Sequence, residues 1–220
     1  MPHDLDRMAQ ADAYNRWIVD RGRPWLRGRV LDVGAGIGTH TADLAEAASS
    51  VVALEPDPGL ASELRRNLDG VEVVVGEATD VEGPFDAVVC FNVLEHIDDD
   101  FSTLARFREL VAPNGHLLLL VPAHPRLFNS LDRAFGHERR YSTADLRAKL
   151  EGAGFTVVDL RYVNPTGAVG WFVNGSMLRR EHLSKGGLAL FNRLVPALRL
   201  LDRRRVPFGL SVWAIATPSA

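Results

Sequence analysis

The sequence predicts an α/β fold: a mostly parallel sheet with helices on both faces. Three observations carry that expectation. Short apolar runs bounded by glycine and proline alternate with helix-period segments from Arg29 to Val163, the pattern of strands joined by crossover helices. Several of these runs are apolar almost throughout, as in strands buried on both faces. One of them, Val30-Leu31-Asp32-Val33, leads into three glycines at alternate positions, Gly34, Gly36 and Gly38, and then Thr39-His40-Thr41-Ala42-Asp43-Leu44 opens a helix.

The elements follow in order. Tyr14-Asn15-Arg16-Trp17-Ile18 is aromatic and helical in pattern, with Tyr14 and Trp17 on one face. It either covers a ligand or packs on the domain. Strands are expected at Val30–Val33, Val51–Glu55, Val71–Val75, Phe85–Phe91, Leu117–Val121, Phe155–Leu160 and Phe208–Ala216, and helices near Thr39–Ala48, Gly59–Leu68, Phe101–Val111 and Thr143–Gly152. The last helix has a serine before it and glycines after it, Ser142, Gly152 and Gly154, which are start and stop signals. The resulting layout is an N-terminal lid helix in 1–28, a core in 29–163, a helical insertion in 164–207 and a last strand in 208–217.

The chain of 220 residues has a formal charge of −3, without the basic surface that nucleic-acid binding needs. Cys90 is the single cysteine, so no disulfide framework exists and a reducing compartment is expected. Met1-Pro2-His3-Asp4 carries no secretory pattern, and no run of 18 apolar residues occurs; a cytoplasmic location is expected. Among 25 Lys and Arg only Lys149 and Lys185 are lysine, a bias that reads as the codon composition of a GC-rich bacterial genome.

Chemistry concentrates at the glycine turn. Glycine there permits backbone angles closed to other residues and lets a ligand approach the main chain, and the next helix offers unpaired N–H groups. A dinucleotide site wants a third glycine where Thr39 stands. Asp32, two residues before Gly34, repels a pyrophosphate and suits a cation. A dehydrogenase using NAD is therefore the weaker reading. Glu55, at the end of the second strand about 20 residues on, suits ribose hydroxyls. Ligands in such sheets bind outside the carboxyl ends of the strands, so the loops after Val33, Leu54, Val75 and Phe91 should line one crevice.

Four segments in this order, Asp32–Gly38, the strand ending at Glu55, Phe85–Ile97 with Leu94-Glu95-His96-Ile97, and Leu110–Val121, resemble the class I S-adenosylmethionine-dependent methyltransferases. The likeness is greatest to the type 11 and ubiquinone/menaquinone-type enzymes. It covers about Tyr14 to Val163 plus the last strand. It implies a Rossmann-like seven-stranded sheet with an antiparallel last strand, and S-adenosylmethionine as cofactor. By the same resemblance, Gly34, Ala35 and Gly36 cradle the methionine part near Asp32, Glu55 and Pro56 meet the ribose, Glu77 and Ala78 meet the adenine, Asn92, Val93 and Leu94 close over the cofactor, and Tyr14 covers it. No Asp/Asn-Pro-Pro-Tyr tetrad follows the fourth strand, which argues against a nucleic-acid amino-methyltransferase. A non-catalytic cofactor-binding scaffold or sensor is the alternative from another class, though an intact Asp32, Gly34, Gly36 and Glu55 speak against a decayed pocket.

The acceptor side lies further along. Methyl transfer needs alignment, and a base only where the nucleophile must lose a proton; histidine suits that role. His3, His40 and His116 are poorly placed. His137, in Gly136-His137-Glu138-Arg139-Arg140-Tyr141, is the first candidate base and His124 the second, with Arg140 and Tyr141 orienting the acceptor. The plain alternative is a polar lead-in to a helix with Arg140 paired to a nearby acid. Asp98-Asp99-Asp100 reads as the acids of a helix start, so no metal site is expected. The insertion combines Gly170-Trp171-Phe172-Val173 with an apolar stripe of Phe191, Leu194, Val195, Leu198 and Leu201, broken at Pro196. Arg179, Arg180, Lys185, Arg193, Arg199 and Arg203 to Arg205 against Glu181 and Asp202 make it basic. It packs on its own domain or on a twin subunit in a homodimer, or makes peripheral membrane contact through 176–205. The expected partner is a small-molecule or lipid-linked methyl acceptor, and no nucleic acid.

Overall fold

The computed structural model describes residues 11–180, 182, 185–202 and 206–219. Met1 to Asp4, Glu181 and Arg203 to Arg205, and the side chains of Lys185, Leu201 and Asp202, lie outside this description. The chain forms a seven-stranded sheet in the order β3-β2-β1-β4-β5-β7-β6. The strands are β1 (Arg29–Val33), β2 (Ser50–Glu55), β3 (Glu72–Val75), β4 (Phe85–Phe91), β5 (Val111–Pro122), β6 (Phe155–Val163) and β7 (Ser211–Pro218). All neighbouring pairs are parallel except those of β7, which runs antiparallel to both β5 and β6. This is the Rossmann-like sheet with an antiparallel last strand that the sequence predicts.

The helices are α1 (Asp12–Gly22), α2 (Thr41–Ala47), α3 (Pro58–Asn67), α4 (Asp100–Leu110), α5 (Ser130–Phe135), α6 (Thr143–Gly152), α7 (Pro165–Trp171), which runs on as a π-turn over Phe172–Met177, and α8 (Lys185–Asp202). Local chemistry starts most of the expected ones. Asp57 accepts from the Gly59 and Leu60 N–H groups ahead of α3, Asp99 from Ser102 N–H ahead of α4, and Ser142 Oγ from Asp145 N–H ahead of α6, each satisfying orphan donors of a helix start. Asp99 thus caps a helix start, whereas the buried Asp100 in the first turn accepts from Tyr141 Oη and Lys149 Nζ.

Alternate strand residues feed two cores, the period-2 consequence of the pleat. Leu31, Val88, Cys90, Leu117, Leu119 and Ala214 face Leu104 and Phe107 of α4 and Leu146 and Leu150 of α6. Val30, Ala87, Val89, Leu118, Leu120 and Trp213 face Tyr14, Trp17 and Ile18 of α1, Leu44 of α2 and Val195 of α8. The central strands β1, β2 and β4 are mostly apolar and buried, as strands covered on both faces are.

The insertion folds back onto its own sheet. Val195 is fully buried beside α1, Tyr14 meets Phe191 edge to face at 5.5 Å, Asn192 Oδ1 accepts from Tyr14 N–H at 3.1 Å, and Arg199 pairs with Asp20 at 2.5 Å. Pro196 sits inside α8 without ending it. α7 was not marked by the hydrophobic pattern. It is seated by Asn164, whose Oδ1 accepts from Gly167 N–H at 2.8 Å and caps the helix.

Candidate functional site

β1 to β5 are parallel, so their carboxyl ends lie along one edge of the sheet, with the glycine turn after the central β1. Gly34 and Gly36 have φ of +69° and +59°, the left-handed region that glycine occupies without strain. The two glycines then differ. A Cβ on Gly34 would collide with Val93, 2.5 Å away, whereas a Cβ on Gly36 would meet nothing within 4 Å. The turn is therefore packed on one side by the loop after β4 and open on the other, a backbone cradle with space above it.

Glu55 holds that cradle. Its buried carboxylate accepts from Gly36 N–H at 2.8 Å and from Asp57 N–H at 2.9 Å. Each oxygen keeps a further lone pair, so the acid that suits ribose also fixes the turn, a role the spacing did not reveal. Asp32 is equally buried and accepts from Thr41 Oγ1 at 2.7 Å. Burial raises its carboxyl to about 7, the Thr41 bond opposing and the Glu55 charge adding. A cation near Asp32 would relieve that cost. Pro56 follows Glu55 on the rim and is exposed. Glu77 is exposed and takes part in a capping box with Asp80 around the short 3-10 turn Ala78–Asp80, which also contains Ala78. Asn92 leaves β4 with φ +54°, its N–H donating to Leu120 O at 2.8 Å. Val93 packs on Gly34, and Leu94 is fully buried.

Tyr14 sits between α1 and α8, with its hydroxyl 3.4 Å from Asn164 Nδ2, so it joins the insertion to the strand ends. Two further strands end as β4 does, on a non-glycine residue in left-handed conformation: His124 with φ +59° after β5 and Asn164 with φ +60° after β6. Such residues cost local energy and mark sites where the surrounding structure fixes the chain.

Asp132, which no sequence motif marks, organises the surroundings of His137 and Arg140. Its fully buried carboxylate is 2.8 Å from His137 Nδ1, 2.7 Å from Arg140 Nε, 3.2 Å from Trp171 Nε1 and 2.9 Å from Asn129 N–H. Burial alone would raise it, but the His137 bond and the Arg140 charge outweigh that and hold it below the usual carboxylate range. With Nδ1 donating to Asp132, His137 carries its lone pair on Nε2. Phe135 (6.1 Å, tilted), Trp171 (6.3 Å, stacked) and His96 (5.0 Å, edge-on) surround the ring. A single buried Asp in the polar stretch before the His motif is the only sequence signal for this hub.

The other acceptor-side candidates are placed differently. Arg140 is buried, spending Nε on Asp132 and donating from Nη1 to Ala123 O at 2.9 Å, so the plain expectation of an acid partner holds. Tyr141 is fully buried and donates to Asp100 Oδ2 at 2.9 Å. Its side chain belongs to the core under α4 and α6 rather than to the crevice, because the strand-like bridge of Tyr141 with Ala123 turns it inward. His124 stacks on Tyr162 at 4.4 Å, and its Nε2 faces the Gly209 N–H at 3.5 Å. Burial, then the Arg140 charge, lower its pKa. The structure thus brings His137 and Arg140 together on Asp132, and keeps His124 and Tyr141 apart from that cluster.

Comparison with known proteins bears on the family and the fold. Residues 4–160 match the methyltransferase domain family. The chain is 30% identical over 126 residues to the demethylmenaquinone methyltransferase of Renibacterium salmoninarum, covering 56% of this chain and 53% of that one. It spans about half or less of the length of the first curated relatives it matches. A methyltransferase from Clostridium acetobutylicum described as S-adenosylmethionine-dependent superposes with a TM-score of 0.66 at 11% identity, covering 100% of this chain and 98% of that one. The magnesium protoporphyrin IX methyltransferase of Synechocystis, solved with S-adenosylmethionine bound, superposes with a TM-score of 0.59 at 17% identity, covering 99% and 83%. At these identities the structural likeness is one of fold. The family match takes in α1 and β1 to β5 and reaches into β6. The chain belongs to the methyltransferase domain family.

Proposed function

We propose that the protein is an S-adenosylmethionine-dependent methyltransferase acting on oxygen or nitrogen of a small or lipid-linked metabolite. The observation that carries this reading is the open glycine cradle, with room above Gly36 and the buried acids Asp32 and Glu55 at the adjoining strand ends. Bound there, S-adenosylmethionine supplies a methyl group already activated on a sulfonium. The Gly34–Gly36 backbone and Asp32 hold its amino-acid end, Glu55 its ribose, and Glu77 with Ala78 its base, while Asn92, Val93 and Leu94 close one side. His137 is the base for an acceptor that must lose a proton, because Asp132 keeps Nδ1 protonated and leaves Nε2 free to accept. Arg140 is a positioning residue that acts through Asp132. His124 is the second candidate base.

The aromatic surround of His137 favours a planar acceptor. The insertion favours one with an apolar tail delivered at an anionic membrane surface: Phe172, Met177, Leu178, Leu190 and Leu194 are exposed among Arg179, Arg180 and Arg193. No helix among the described residues is long and apolar enough to cross a membrane, so such contact is peripheral.

The cofactor half is tested by thermal unfolding: protection by S-adenosylhomocysteine and none by NAD is expected, and the reverse overturns it. The acceptor half is tested by a screen that includes demethylated quinols, reading S-adenosylhomocysteine release in wild type, His137→Ala and His124→Ala. Turnover unchanged in His137→Ala rules out that base, and cofactor binding without release on any acceptor favours a binding scaffold. Co-sedimentation with anionic liposomes checks the membrane contact; absence of binding excludes it.

A further inference from the structure

Glu95, His96 and His137 each bring one candidate ligand atom to within 4.8 Å of the other two. Glu95 is fully buried, and neither carboxylate oxygen has a hydrogen-bond partner among the described residues. Leaving such a carboxylate uncompensated is costly, and buried charges are kept where they are paired or bind metal. Arg140 is the nearby cation, but its Nε and Nη1 are spent on Asp132 and the Ala123 carbonyl, and its Nη2 makes no bond to Glu95. His137 Nε2 stands 3.9 Å from Glu95 Oε1.

The two histidines are locked in complementary states. His137 Nδ1 donates to Asp132, and His96 Nδ1, 2.9 Å from the Gly136 carbonyl, can only donate to it. Each ring therefore keeps its lone pair on Nε2. Two imidazole lone pairs thus share a small space with the buried Glu95 carboxyl.

We propose that Glu95, His96 and His137 form a binding site for one divalent transition-metal ion of the zinc class. Two imidazoles and a carboxylate are the donor set such ions take. Asp132 supplies the outer hydrogen bond that fixes a ligating histidine. The ion would draw the ligand atoms closer than they stand, since bonds of about 2.0–2.2 Å leave ligands somewhat over 3 Å apart. His96 is exposed, which gives the ion an entry path and leaves coordination positions for an oxygen donor, water or an acceptor hydroxyl. This deepens the acceptor-side reading of His137: with the ion bound, Nε2 is a ligand rather than a base, and lowering of the hydroxyl pKa by the ion takes over that task.

The test needs neither methyl donor nor acceptor. The full chain, stripped with a chelator, is titrated calorimetrically with a zinc salt alone, and bound metal is quantified after dialysis. One equivalent is expected, with affinity at least about tenfold lower in His96→Gln and His137→Gln and unchanged in His116→Gln, a histidine within β5 that is not part of the cluster. Circular dichroism checks that each variant is folded. Because His96 is exposed, its variant stays informative even where changes at Glu95 or His137 disturb the core. Failure of the wild type to retain zinc, or equal uptake by His96→Gln, overturns the proposal. Either result leaves the methyl-transfer reading standing, just as a failed acceptor screen leaves measured zinc uptake intact.

Discussion

His137 Nδ1 and Asp132 Oδ1 are 2.8 Å apart, and the same oxygen lies 2.7 Å from Arg140 Nε. One buried carboxylate thus sets the tautomer of the candidate base and neutralises a guanidinium with no exposed side-chain surface. Asp132→Ala removes both functions and leaves Arg140 buried without its partner. It should destabilise the protein by about 3–5 kcal/mol, measured by urea unfolding. His137→Gln leaves the Asp132–Arg140 pair in place and should lower kcat by about 10²–10⁴-fold with little change in S-adenosylhomocysteine affinity. A kcat within twofold of wild type would contradict a base at this position.

Tyr141→Phe separates packing from chemistry. The hydroxyl bonds Asp100 inside the core, so its loss should cost about 1 kcal/mol of stability while kcat/KM for the acceptor stays constant. A fall in kcat/KM without loss of stability would place Tyr141 at the acceptor after all.

Asp32 gives the protein a pH dependence of known sign. Its carboxyl is raised by burial to about 7 against an ordinary value of 3.8, so the folded state binds this proton more tightly than the unfolded chain does. The contribution is complete below about pH 4 and is lost as pH rises through about 7, with a slope of at most about 1.4 kcal/mol per pH unit. Asp32→Asn should flatten that part of the stability–pH curve between pH 4 and 7. Binding of a cationic cofactor beside Asp32 should release a proton near pH 6.5, read by calorimetry in buffers of different ionisation enthalpy.

Glu55→Ala strips the acceptor from the Gly36 and Asp57 N–H groups. Losing it should cost about 1–3 kcal/mol and weaken S-adenosylhomocysteine binding about tenfold or more, as thermal shift against ligand concentration would show. Glu55→Gln, which keeps an acceptor oxygen, should recover part of both.

The docking of the insertion rests on Val195 and Phe191 against α1. Val195→Asp places a charge in that core and should raise the amide exchange of 185–202 far more than that of β4 and β5. Equal protection in the variant would mean that α8 is held by other contacts.

Most of the sheet was legible because its strands are buried on both faces, and such strands announce themselves as apolar runs between glycine turns; Val51–Glu55 and Phe85–Phe91 are the clearest cases. The glycine turn was legible for the same local reason, since Gly34 and Gly36 adopt backbone angles that other residues resist. The helix at Pro165–Trp171 was not, because Asn164 and the contact of Trp171 with Asp132 set it rather than any periodic stripe.

By itself, the sequence determined the strands of the cofactor half, the cradle, and the two acids beside it, because these are marked by short local patterns of apolar residues, glycines and strand-end acids. The order of the strands came from pairings such as Val30 with Ala87, far apart in the chain. Only the tertiary structure decided the acceptor side. Asp132 meets Arg140 and Trp171, eight and 39 positions away, and Glu95 comes to His137 across more than forty residues. Their roles arise from burial and convergence in space, and neither is written in the spacing of any one segment. Tyr141 looked like a substrate contact by its neighbours in sequence and became a core residue by its neighbours in space.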